Sequence, residues 1–487
     1  MTIDRVDVVI VGAGLSGIGA ACHLRDKCPD KTFAILESRD SIGGTWDLFR
    51  YPGIRSDSDM HTLGYEFKPW IDEKSIADGP NILSYVKEAA TEHEIDQHIR
   101  FNQRVTKASW SGEDAMWTVE TTSDQPAGAQ TIQCNFLLMC AGYYSYSNPN
   151  DPILAGRDSF EGDVVHPQFW PSELDHEGKR IVVIGSGATA VTLVPALAES
   201  ATHVTMLQRS PSYVVSMPAK DRIANILRKI LPSKIAYALT RWKNITYQQM
   251  VYGRTRVQPD KIKSKMISLV SKELGDDYDV QKHFTPRYDP WDQRLCLVPD
   301  GDLFTAIRSG AASVVTDEIE RFTTDGIQLK SGDHVPADII VTATGLNLCV
   351  LGDVELVVDG QAVNVSDTFS YKSMMFSDVP NMISTFGYIN ASWTLRADII
   401  ANYACRLINH MTTTDTRQCT ARAGDEYRDM PGKPWIENFS SGYMQRSMHL
   451  LPKQGDRHPW LNTQNYTNDQ KMIRDQGIPD DVLEFLA

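Results

Sequence analysis

The hydrophobic pattern of the chain contains two matching units, each a short apolar run that enters a glycine-rich turn and then a helical stretch. The first run covers residues 6–11 (VDVVIV) and the second covers residues 181–184 (IVVI). A further apolar run follows each helical stretch, at residues 31–36 (KTFAIL) and 203–207 (HVTML). Apolar runs of this length, bounded by turns, are typical of buried parallel strands. The pattern therefore predicts an α/β fold with two Rossmann-like dinucleotide-binding domains.

The first glycine turn has the spacing that a dinucleotide phosphate requires. Gly12 allows a tight turn, Gly14 lets the backbone approach a pyrophosphate, and Gly17 allows the helix to pack closely on the strand. Ser16 can add a hydroxyl donor to the same phosphate, beside the free N–H groups of the helix start. Glu37 ends the second strand, where an acid accepts hydrogen bonds from the ribose hydroxyls of an adenosine.

The second glycine turn repeats the first with alanine at the third position. Its expected cofactor contacts are Gly185, Ser186, Gly187, Ala188, Thr189 and Ala190. The strand that follows ends on Gln208, Arg209 and Ser210 rather than on an acid. An acid would repel a 2′-phosphate, whereas the Arg209 guanidinium can pair with it. The sequence therefore predicts NADPH rather than NADH at this site.

Two dinucleotide sites in one chain are explained most simply by a flavin that a nicotinamide cofactor reduces. Apolar runs that end in small-residue turns occur at residues 136–142 (FLLMCAG) and 338–345 (DIIVTATG). These runs resemble the strand-turns that mark the crossings between the FAD and NADP domains in flavoproteins with two dinucleotides, and the resemblance implies a glutathione-reductase-like two-domain architecture. The predicted FAD domain is discontinuous, at residues 1–145 and 340–487. The predicted NADP domain, at residues 146–339, is inserted into it.

A helical segment with apolar and basic residues interrupts the predicted NADP domain at residues 220–280. We expect it to form a small cap over the active site. Its first part carries basic residues among isoleucines and leucines, namely Arg222, Arg228, Lys229, Lys234, Arg241 and Lys243. In an acidic protein such a stretch is compatible with a solvated helix face or with weak peripheral contact with an anionic membrane.

Composition and charge argue against several classes of protein. The 487 residues are 42% hydrophobic and 23% charged, as is common in globular proteins. The formal net charge of −14 disfavours nucleic acid, whose phosphates most of the surface would repel. No apolar run approaches the roughly 20 residues of a membrane span, and no signal peptide is recognisable. The eight cysteines show neither CxxC nor zinc spacing, so we expect free thiols in a reducing cytoplasm and no metal site.

Residues 160–171 (FEGDVVHPQFWP), between the two glycine turns, resemble the FxGxxxHTxxWP fingerprint of type I Baeyer–Villiger monooxygenases. Pro167 stands where the family has threonine, and the relaxed fingerprint is close to that of flavin monooxygenases that oxygenate nitrogen and sulfur. Residues 43–59 resemble the flavin-contacting loop of the family, and residues 290–299 and 387–395 match it as well. With a mycobacterial member the similarity runs along nearly the whole chain.

The resemblance implies an enzyme that holds FAD and consumes NADPH and O2. Such an enzyme converts ketones into esters or lactones and oxidises sulfides or thioamides through a flavin C4a-peroxide. Arg294 corresponds to the catalytic cation, since arginine stays charged at any working pH, and Asp57 orients it. The other implied cofactor contacts are Thr45, Trp46, Asp47, Leu48, Arg55, Ser56 and, at the adenine, Val105. Gln293 replaces a lysine that helps to bind the 2′-phosphate in the family, which leaves that task to Arg209 and Ser210.

Three other functions are compatible with parts of the pattern. A flavin monooxygenase that acts mainly on nitrogen or sulfur uses the same cofactors. An NADPH-dependent disulfide reductase shares the architecture, but it carries a cysteine pair after the Gly-Gly-Thr loop, where this chain has Trp46. A non-catalytic flavin sensor would lose a glycine turn or the cation, whereas both turns and Arg294 are present. The native substrate and the oligomeric state are not predicted.

Overall fold

Two sheets, one behind each glycine turn, form the framework of the chain; the first is mixed and the second is parallel. The computed structural model describes residues 4–125, 128–427, 429–437 and 439–487. Each glycine turn joins a strand of its sheet to a helix, Leu15–Lys27 in the first unit and Ala188–Leu197 in the second. This arrangement confirms the predicted α/β fold with two Rossmann-like units.

The first sheet contains the strand Asp4–Val11, which lies in parallel register between Phe33–Leu36 on one side and Thr131–Met139 on the other. Val8 and Ile10 face the helical layer, whereas the alternate residues Val9 and Val11 pack in a separate cluster on the opposite face. Both faces are therefore covered, which is why the run is almost continuously apolar. The other strands of this sheet are Ile99–Arg100, Arg104–Ser111, Met116–Thr122, Glu355–Val358, Gln361–Ala362 and Met382–Ser384.

The second sheet is parallel and carries the second glycine turn. Its strands, in spatial order, are Ala312–Thr316, His203–Gln208, Arg180–Ile184, Ile339–Thr342 and Asp163–Val165. A small antiparallel sheet, formed by Ile319–Thr323, Gly326–Leu329 and His334–Pro336, packs beside it. The fingerprint segment supplies the edge strand Asp163–Val165, so it is part of the second sheet rather than a free linker.

The chain crosses between the two sheets along a pair of antiparallel strands. Tyr144–Pro149 leads from the first sheet to the second, and Leu346–Leu348 leads back beside it. The strand Ile339–Thr342, most of which the sequence analysis assigned to the second FAD segment, pairs with Arg180–Ile184 and belongs to the second sheet. The return crossing therefore lies a few residues later than residue 340.

The segment between residues 220 and 280 is helical, as its pattern indicates. Its helices are Arg222–Ile230, Ser233–Val257, Pro259–Leu274 and Val280–His283. The parallel pair Val214–Met217 and Cys296–Pro299 flanks the segment and brings its two ends together. The Asp221 side chain accepts a hydrogen bond from the Ala224 N–H at 3.0 Å and so caps the first helix.

The structure contains further helices and strand pairs besides the two sheets and the helical segment. The other helices of four or more residues are Thr45–Leu48, Met60–Leu63, Gly79–Glu92, Asp302–Arg308, Trp393–Thr413, Gly442–Ser447 and Tyr466–Asp469, followed by the π-helical turn Gln470–Arg474. Two further strand pairs are Ser370–Tyr371 with Met375–Phe376, and Gln418–Ala421 with Leu483–Leu486. All eight cysteines are buried and unpaired. No helix in the described part of the chain combines the length and the hydropathy that crossing a bilayer requires.

Candidate active site

A cavity of about 570 Å³ extends between the two sheets. Its wall combines the first glycine turn, the loop after residue 43, the crossing strand Tyr144–Pro149 and the start of the helix Ala188–Leu197. Glu37, Gln103 and Val105 line it, and so does Arg294. A single cavity therefore joins the predicted adenosine-binding residues of the first unit to the predicted catalytic cation.

The first glycine turn is held closely against its neighbours. Gly12 has φ +100°, and a Cβ there would lie 2.7 Å from the Cys140 carbonyl oxygen. A Cβ on Gly17 would lie 1.9 Å from the Gly12 carbonyl oxygen. Only glycine avoids these clashes, so these two positions allow the turn to pack closely on Cys140 and on itself.

Glu37 is fixed at the end of its strand by the backbone around it. The Ala13 N–H donates to its Oε2 at 2.7 Å, and the Arg39 N–H donates to its Oε1 at 2.9 Å. The side chain is buried, and burial raises the pKa of Glu37 above its ordinary value of 4.5. The remaining acceptor positions of the carboxylate are available to the ribose hydroxyls of an adenosine.

The Ser16 hydroxyl has a partner that the sequence did not indicate. The Trp393 indole N–H donates to Ser16 Oγ at 2.7 Å, although 377 residues separate the two in sequence. Because Ser16 accepts this bond, its own hydroxyl hydrogen stays available for a phosphate oxygen. The Trp393 ring also stacks on Tyr143, with ring centroids 5.0 Å apart.

The loop after Gly43 presents two of its four predicted contacts to the cavity. Thr45 and Trp46 line it, and Thr45 Oγ1 lies 3.4 Å from the Tyr146 hydroxyl. Asp47 is buried beneath them and pairs with the Arg39 guanidinium. Asp47 and Leu48 are not part of the cavity wall, so the structure gives these two a supporting position in the loop.

Arg294 and Asp57 form the ion pair that the resemblance implies. Arg294 Nη1 lies 3.1 Å from Asp57 Oδ2, and both side chains line the cavity. They are 30% and 39% exposed, so the pair faces the cavity rather than the packed interior. The Asp57 carboxylate raises the pKa of Arg294 well above its ordinary value, and the guanidinium therefore keeps its charge.

Tyrosines near Arg294 were not predicted from the sequence. The hydroxyls of Tyr143 and Tyr144 are 2.6 Å apart, and both rings line the cavity. The Tyr443 hydroxyl is buried and has no hydrogen-bond partner among the described residues. Burial raises the pKa of Tyr143, Tyr144 and Tyr443, so all three stay neutral donors beside Arg294. No motif marks them, because they come from the crossing strand and from a C-terminal helix.

The second glycine turn contributes to the cavity through its helix. Ala188 and Thr189 line the cavity, whereas Gly185, Ser186, Gly187 and Ala190 are not part of its wall. Ser186 Oγ donates to the Ser210 carbonyl oxygen at 3.1 Å, so the turn and the end of the next strand lie side by side. Arg209 and Ser210 are exposed there, where they are accessible to a phosphate from solvent.

Arg55 and Ser56 lie where the two units meet. Both line the cavity, and Arg55 Nη2 lies 3.3 Å from Asp302 Oδ1 across the domain junction. Tyr51 lines the same stretch, and burial raises the pKa of Tyr51 to about 12. Val105 is buried and lines the cavity near Glu37, since the N–H of Gln103 donates to the Glu37 carbonyl oxygen at 2.8 Å.

The fingerprint segment supports the crossing strand instead of lining the cavity. The Gln168 side-chain amide donates to the carbonyl oxygens of Ser145 and Tyr146 at 2.9 and 2.8 Å. His166 Nδ1 accepts from the Gln168 N–H at 3.2 Å, and burial lowers the pKa of His166, which keeps the ring neutral. Pro167 begins a short 3₁₀ turn in this arrangement.

The residues around the cavity fit FAD, with NADPH entering from the second unit. The glycine turn can hold a diphosphate on its N–H groups, Glu37 can hold the ribose, and Trp46 and Tyr146 can flank a flavin ring. The helix Ala188–Leu197 begins at the same cavity and presents free N–H groups to a second diphosphate.

Comparison with known proteins supports this assignment. A family model described as pyridine nucleotide-disulphide oxidoreductase matches residues 9–270. The FAD-containing monooxygenase EthA of Mycobacterium tuberculosis is 53% identical over 483 residues, which cover 99% of this chain and 98% of that protein. The structure of an oxidised steroid monooxygenase bound to NADP is 23% identical, covers 99% of each chain and has a TM-score of 0.79. An open structure of cyclohexanone monooxygenase is 20% identical, covers 99% of this chain and 100% of the other, and has a TM-score of 0.76.

Proposed function

The chain belongs to the family of FAD-containing monooxygenases and, more broadly, to that of the pyridine nucleotide-disulphide oxidoreductases; on this premise we propose that it oxygenates ketones and sulfur compounds with NADPH as the reductant. Ketones are the substrates that its catalytic cation suits best, and they give esters or lactones. Sulfides and thioamides are the second substrate class. The observation that carries the proposal is the Arg294–Asp57 pair, which lies in the same cavity as both nucleotide-binding units.

Arg294 supplies a fixed positive charge next to the reacting oxygen. Bound FAD, once NADPH has reduced it, supplies the electrons that activate dioxygen. Arg294 stabilises the negative charge that develops on oxygen, both during activation and during attack on a ketone carbonyl. Asp57 limits the orientations of the guanidinium and keeps its pKa high, so the charge persists through the working pH range.

The aromatic wall on one side of Arg294 limits the access of water to the reaction. Tyr143, Tyr144 and Trp393 cover one side, and Phe386, Trp435 and Phe439 pack behind them in a hydrophobic cluster. Exclusion of water strengthens the electrostatic effect of Arg294 and limits the unproductive release of hydrogen peroxide. The tyrosine hydroxyls are neutral donors that can hold the carbonyl oxygen of a substrate.

The overall reaction balances with the cofactors that the site accepts. A ketone, O2, NADPH and one proton give an ester or lactone, water and NADP⁺. One oxygen atom enters the C–C bond beside the carbonyl, and the other is reduced to water with the two electrons of the hydride. For a sulfide the same oxygen atom adds to a sulfur lone pair and gives a sulfoxide.

Stopped-flow absorbance tests the proposal directly. The flavin-loaded enzyme is reduced with NADPH and mixed with oxygenated buffer, with and without phenylacetone or a thioether. We expect an absorbing species distinct from reduced and oxidised flavin, which decays faster when either substrate is present. Product analysis by mass spectrometry then assigns the oxygen atom to an ester or to a sulfoxide.

Arg294→Met is the matched variant, because it removes the charge and keeps a long side chain. We expect its flavin to be reduced by NADPH at a similar rate, while product formation falls by about a hundredfold or more, as for loss of a donor in an oxyanion site. Immediate return of oxidised flavin in the wild type, with stoichiometric hydrogen peroxide and no product, would contradict the proposal and point to an oxidase or a reductase.

A further inference from the structure

The first two helices of the insertion carry large apolar side chains on the protein surface. These helices are Arg222–Ile230 and Ser233–Val257. The exposed side chains and their exposures are Ile223 54%, Ile226 59%, Ile230 69%, Ile235 52%, Leu239 44% and Trp242 68%. We refer to these six residues as the apolar ridge. Scattered surface apolar residues are ordinary, but six within twenty positions form a patch that marks an interaction site.

The spacing of the ridge places its members on one face of each helix. Ile223, Ile226 and Ile230 are three and four residues apart, and Ile235, Leu239 and Trp242 follow the same helical period. The opposite face of each helix is anchored to the protein. Ala224 is buried on the first helix, and Ala236, Tyr237, Thr240 and Arg241 are buried on the second.

The anchor is polar as well as apolar, so the two helices have a defined orientation. Arg241 donates to the carbonyl oxygens of His61 and Gly64 at 3.0 and 2.8 Å and lies 3.3 Å from Asp398. The Tyr237 hydroxyl donates to the Tyr65 carbonyl oxygen at 2.9 Å. With this face fixed to the FAD-binding unit, the ridge is directed away from the protein.

The charges carried by the two helices have one sign. Residues 222–258 contain eight arginine or lysine residues and no aspartate or glutamate, within a chain whose net charge is −14. Arg222, Lys229 and Lys234 are exposed beside the ridge. Asp221, the acid that precedes the first helix, is already paired with Lys243 at 2.6 Å. The ridge is therefore bordered by cations whose charge is not cancelled within the helices.

We propose that the apolar ridge docks on a lipid surface that carries anionic headgroups. An amphipathic helix pair with isoleucine, leucine and tryptophan on one side and lysine and arginine beside them fits the interface of a bilayer. The isoleucines and Leu239 enter the acyl-chain boundary, Trp242 lies at the headgroup level, and Arg222, Lys229 and Lys234 pair with phosphates. The rest of the acidic surface stays in solution.

A second copy of the chain is a poorer occupant of the ridge. A two-fold symmetric dimer through this face would bring Arg222, Lys229 and Lys234 close to the same cations of the other subunit. Like charges across an interface cost binding energy, and the helices hold no acid that could offset them. An anionic lipid surface satisfies the apolar side chains and the cations together.

Vesicle co-sedimentation of the flavin-loaded enzyme tests the proposal. We compare vesicles of phosphatidylcholine with vesicles that contain one part phosphatidylglycerol to one part phosphatidylcholine, at low and at physiological salt. We expect the enzyme to sediment with the anionic vesicles and to be released at least in part by salt, because the headgroup contacts are screened. Neutral vesicles should retain much less protein.

Two variants separate the apolar and the charged contributions. Ile230→Ser with Trp242→Ser removes exposed apolar area, and Lys229→Glu with Lys234→Glu reverses the charge; each is expected to lower vesicle binding at least tenfold. Ile71→Ser with Ile153→Ser is the matched control, since those side chains are 75% and 101% exposed outside the ridge. Flavin content and NADPH oxidation should equal those of the wild type in all three, which shows that the variants fold.

Fluorescence locates the ridge relative to the bilayer. Phosphatidylcholine brominated on its acyl chains, mixed with phosphatidylglycerol, should quench tryptophan emission in the wild type, and Trp242→Phe should abolish most of that quenching. Equal loss of binding in the Ile71/Ile153 control, or no sedimentation at low salt, would overturn the proposal. So would a lipid-free dimer that the Ile230/Trp242 variant converts into monomers in light scattering, because the ridge would then be a subunit interface.

Discussion

Glu37 shows how burial changes the chemistry of a predicted contact. Its side chain is 4% exposed, and two backbone N–H groups donate to the carboxylate and hold it in place. The neighbouring cation is Arg39, which is partly exposed. Burial raises the pKa of Glu37, which means that the proton competes with the ribose hydroxyls of FAD at a higher pH than for an exposed glutamate. The carboxylate accepts those hydroxyls above its raised pKa and loses them as the pH falls through it.

FAD retention should therefore depend on pH through Glu37. We expect the wild type to release FAD progressively as the pH is lowered, in a range above that where an ordinary glutamate titrates, because burial raises the pKa of Glu37. Glu37→Gln should bind FAD about tenfold more weakly at neutral pH, because it loses a charge-assisted hydrogen bond, and its affinity should change little over the same range. Titration of the apoenzyme followed by flavin fluorescence measures both. An unchanged pH profile in Glu37→Gln would assign the dependence to another group.

Arg209 is the residue that we expect to select NADPH over NADH. It is exposed beside Ser210, at the end of the strand that follows the second glycine turn, and that strand itself does not end on an acid. Arg209→Gln should raise the KM for NADPH by about tenfold to a hundredfold, as expected for loss of one charged pair with phosphate, and leave the KM for NADH nearly unchanged. Steady-state oxidation of the two cofactors gives the ratio. Equal effects on both cofactors would show that Arg209 does not contact the 2′-phosphate.

At the scale of residues, the sequence identifies those groups whose chemistry requires a particular type of side chain at a particular spacing. The glycine turns, Glu37, and the pair Arg294 and Asp57 are of this kind, and the structure brings that pair to 3.1 Å. Tyr443 and the Trp393–Ser16 hydrogen bond could not be predicted in this way. Tyrosine and tryptophan occur in ordinary packing throughout the chain, and the contacts that single these out join segments hundreds of residues apart.

At the scale of elements, the long helix Ser233–Val257 is anchored by several polar contacts, among them the buried ion pair of Arg241 with Asp398. Asp398 lies 3.3 Å from Arg241 and also accepts from the Glu66 N–H at 2.9 Å. Asp398→Asn keeps the shape and leaves a buried guanidinium without its counter-charge. We expect a loss of about 3 kcal/mol in the free energy of unfolding, as is usual when one partner of a buried pair is removed. Thermal unfolding of the flavin-loaded enzyme would show it as a lower midpoint.

An exposed pair is the appropriate control for this substitution. Glu318 pairs with Lys330 at the surface, where solvent screens both charges. Glu318→Gln should leave the unfolding midpoint within the error of the measurement. If it lowered the midpoint as much as Asp398→Asn does, burial of the Arg241–Asp398 pair would not be the cause of the loss.

Most strands were predictable from the apolar runs in the sequence, whereas the sheet to which each strand belongs was less predictable. The apolar runs at residues 6–11 and 181–184 became strands because both faces of a parallel sheet exclude water. The run at residues 338–345 is equally apolar, and its pattern does not show which sheet it joins. Its register with Arg180–Ile184 and Asp163–Val165 is set by pairing across the fold, which a local pattern does not contain.

At the scale of the whole molecule, the two nucleotide-binding units meet through polar contacts between distant segments. Asp57 reaches Arg294, Arg55 reaches Asp302, and Glu73 reaches Lys220 at 2.6 Å. In each pair the first residue belongs to the first unit, and the second belongs to the predicted NADP domain at residues 146–339. Asp57, Arg294 and Arg55 also line one continuous cavity, so both units contribute residues to its wall.

Binding of the two cofactors should therefore be coupled. NADP⁺ at about 100 times its dissociation constant adds roughly 2.7 kcal/mol of stability to any protein that binds it only when folded. We expect the rise in the unfolding midpoint that NADP⁺ produces to be larger for the flavin-loaded enzyme than for the apoenzyme, because bound FAD holds the first unit in place. Asp302→Asn loosens the junction at Arg55 without altering either glycine turn, and it should reduce that difference. Differential scanning fluorimetry on the four combinations of enzyme and flavin measures the coupling. An NADP⁺ effect that is the same with and without FAD would mean that the two sites act independently across the junction.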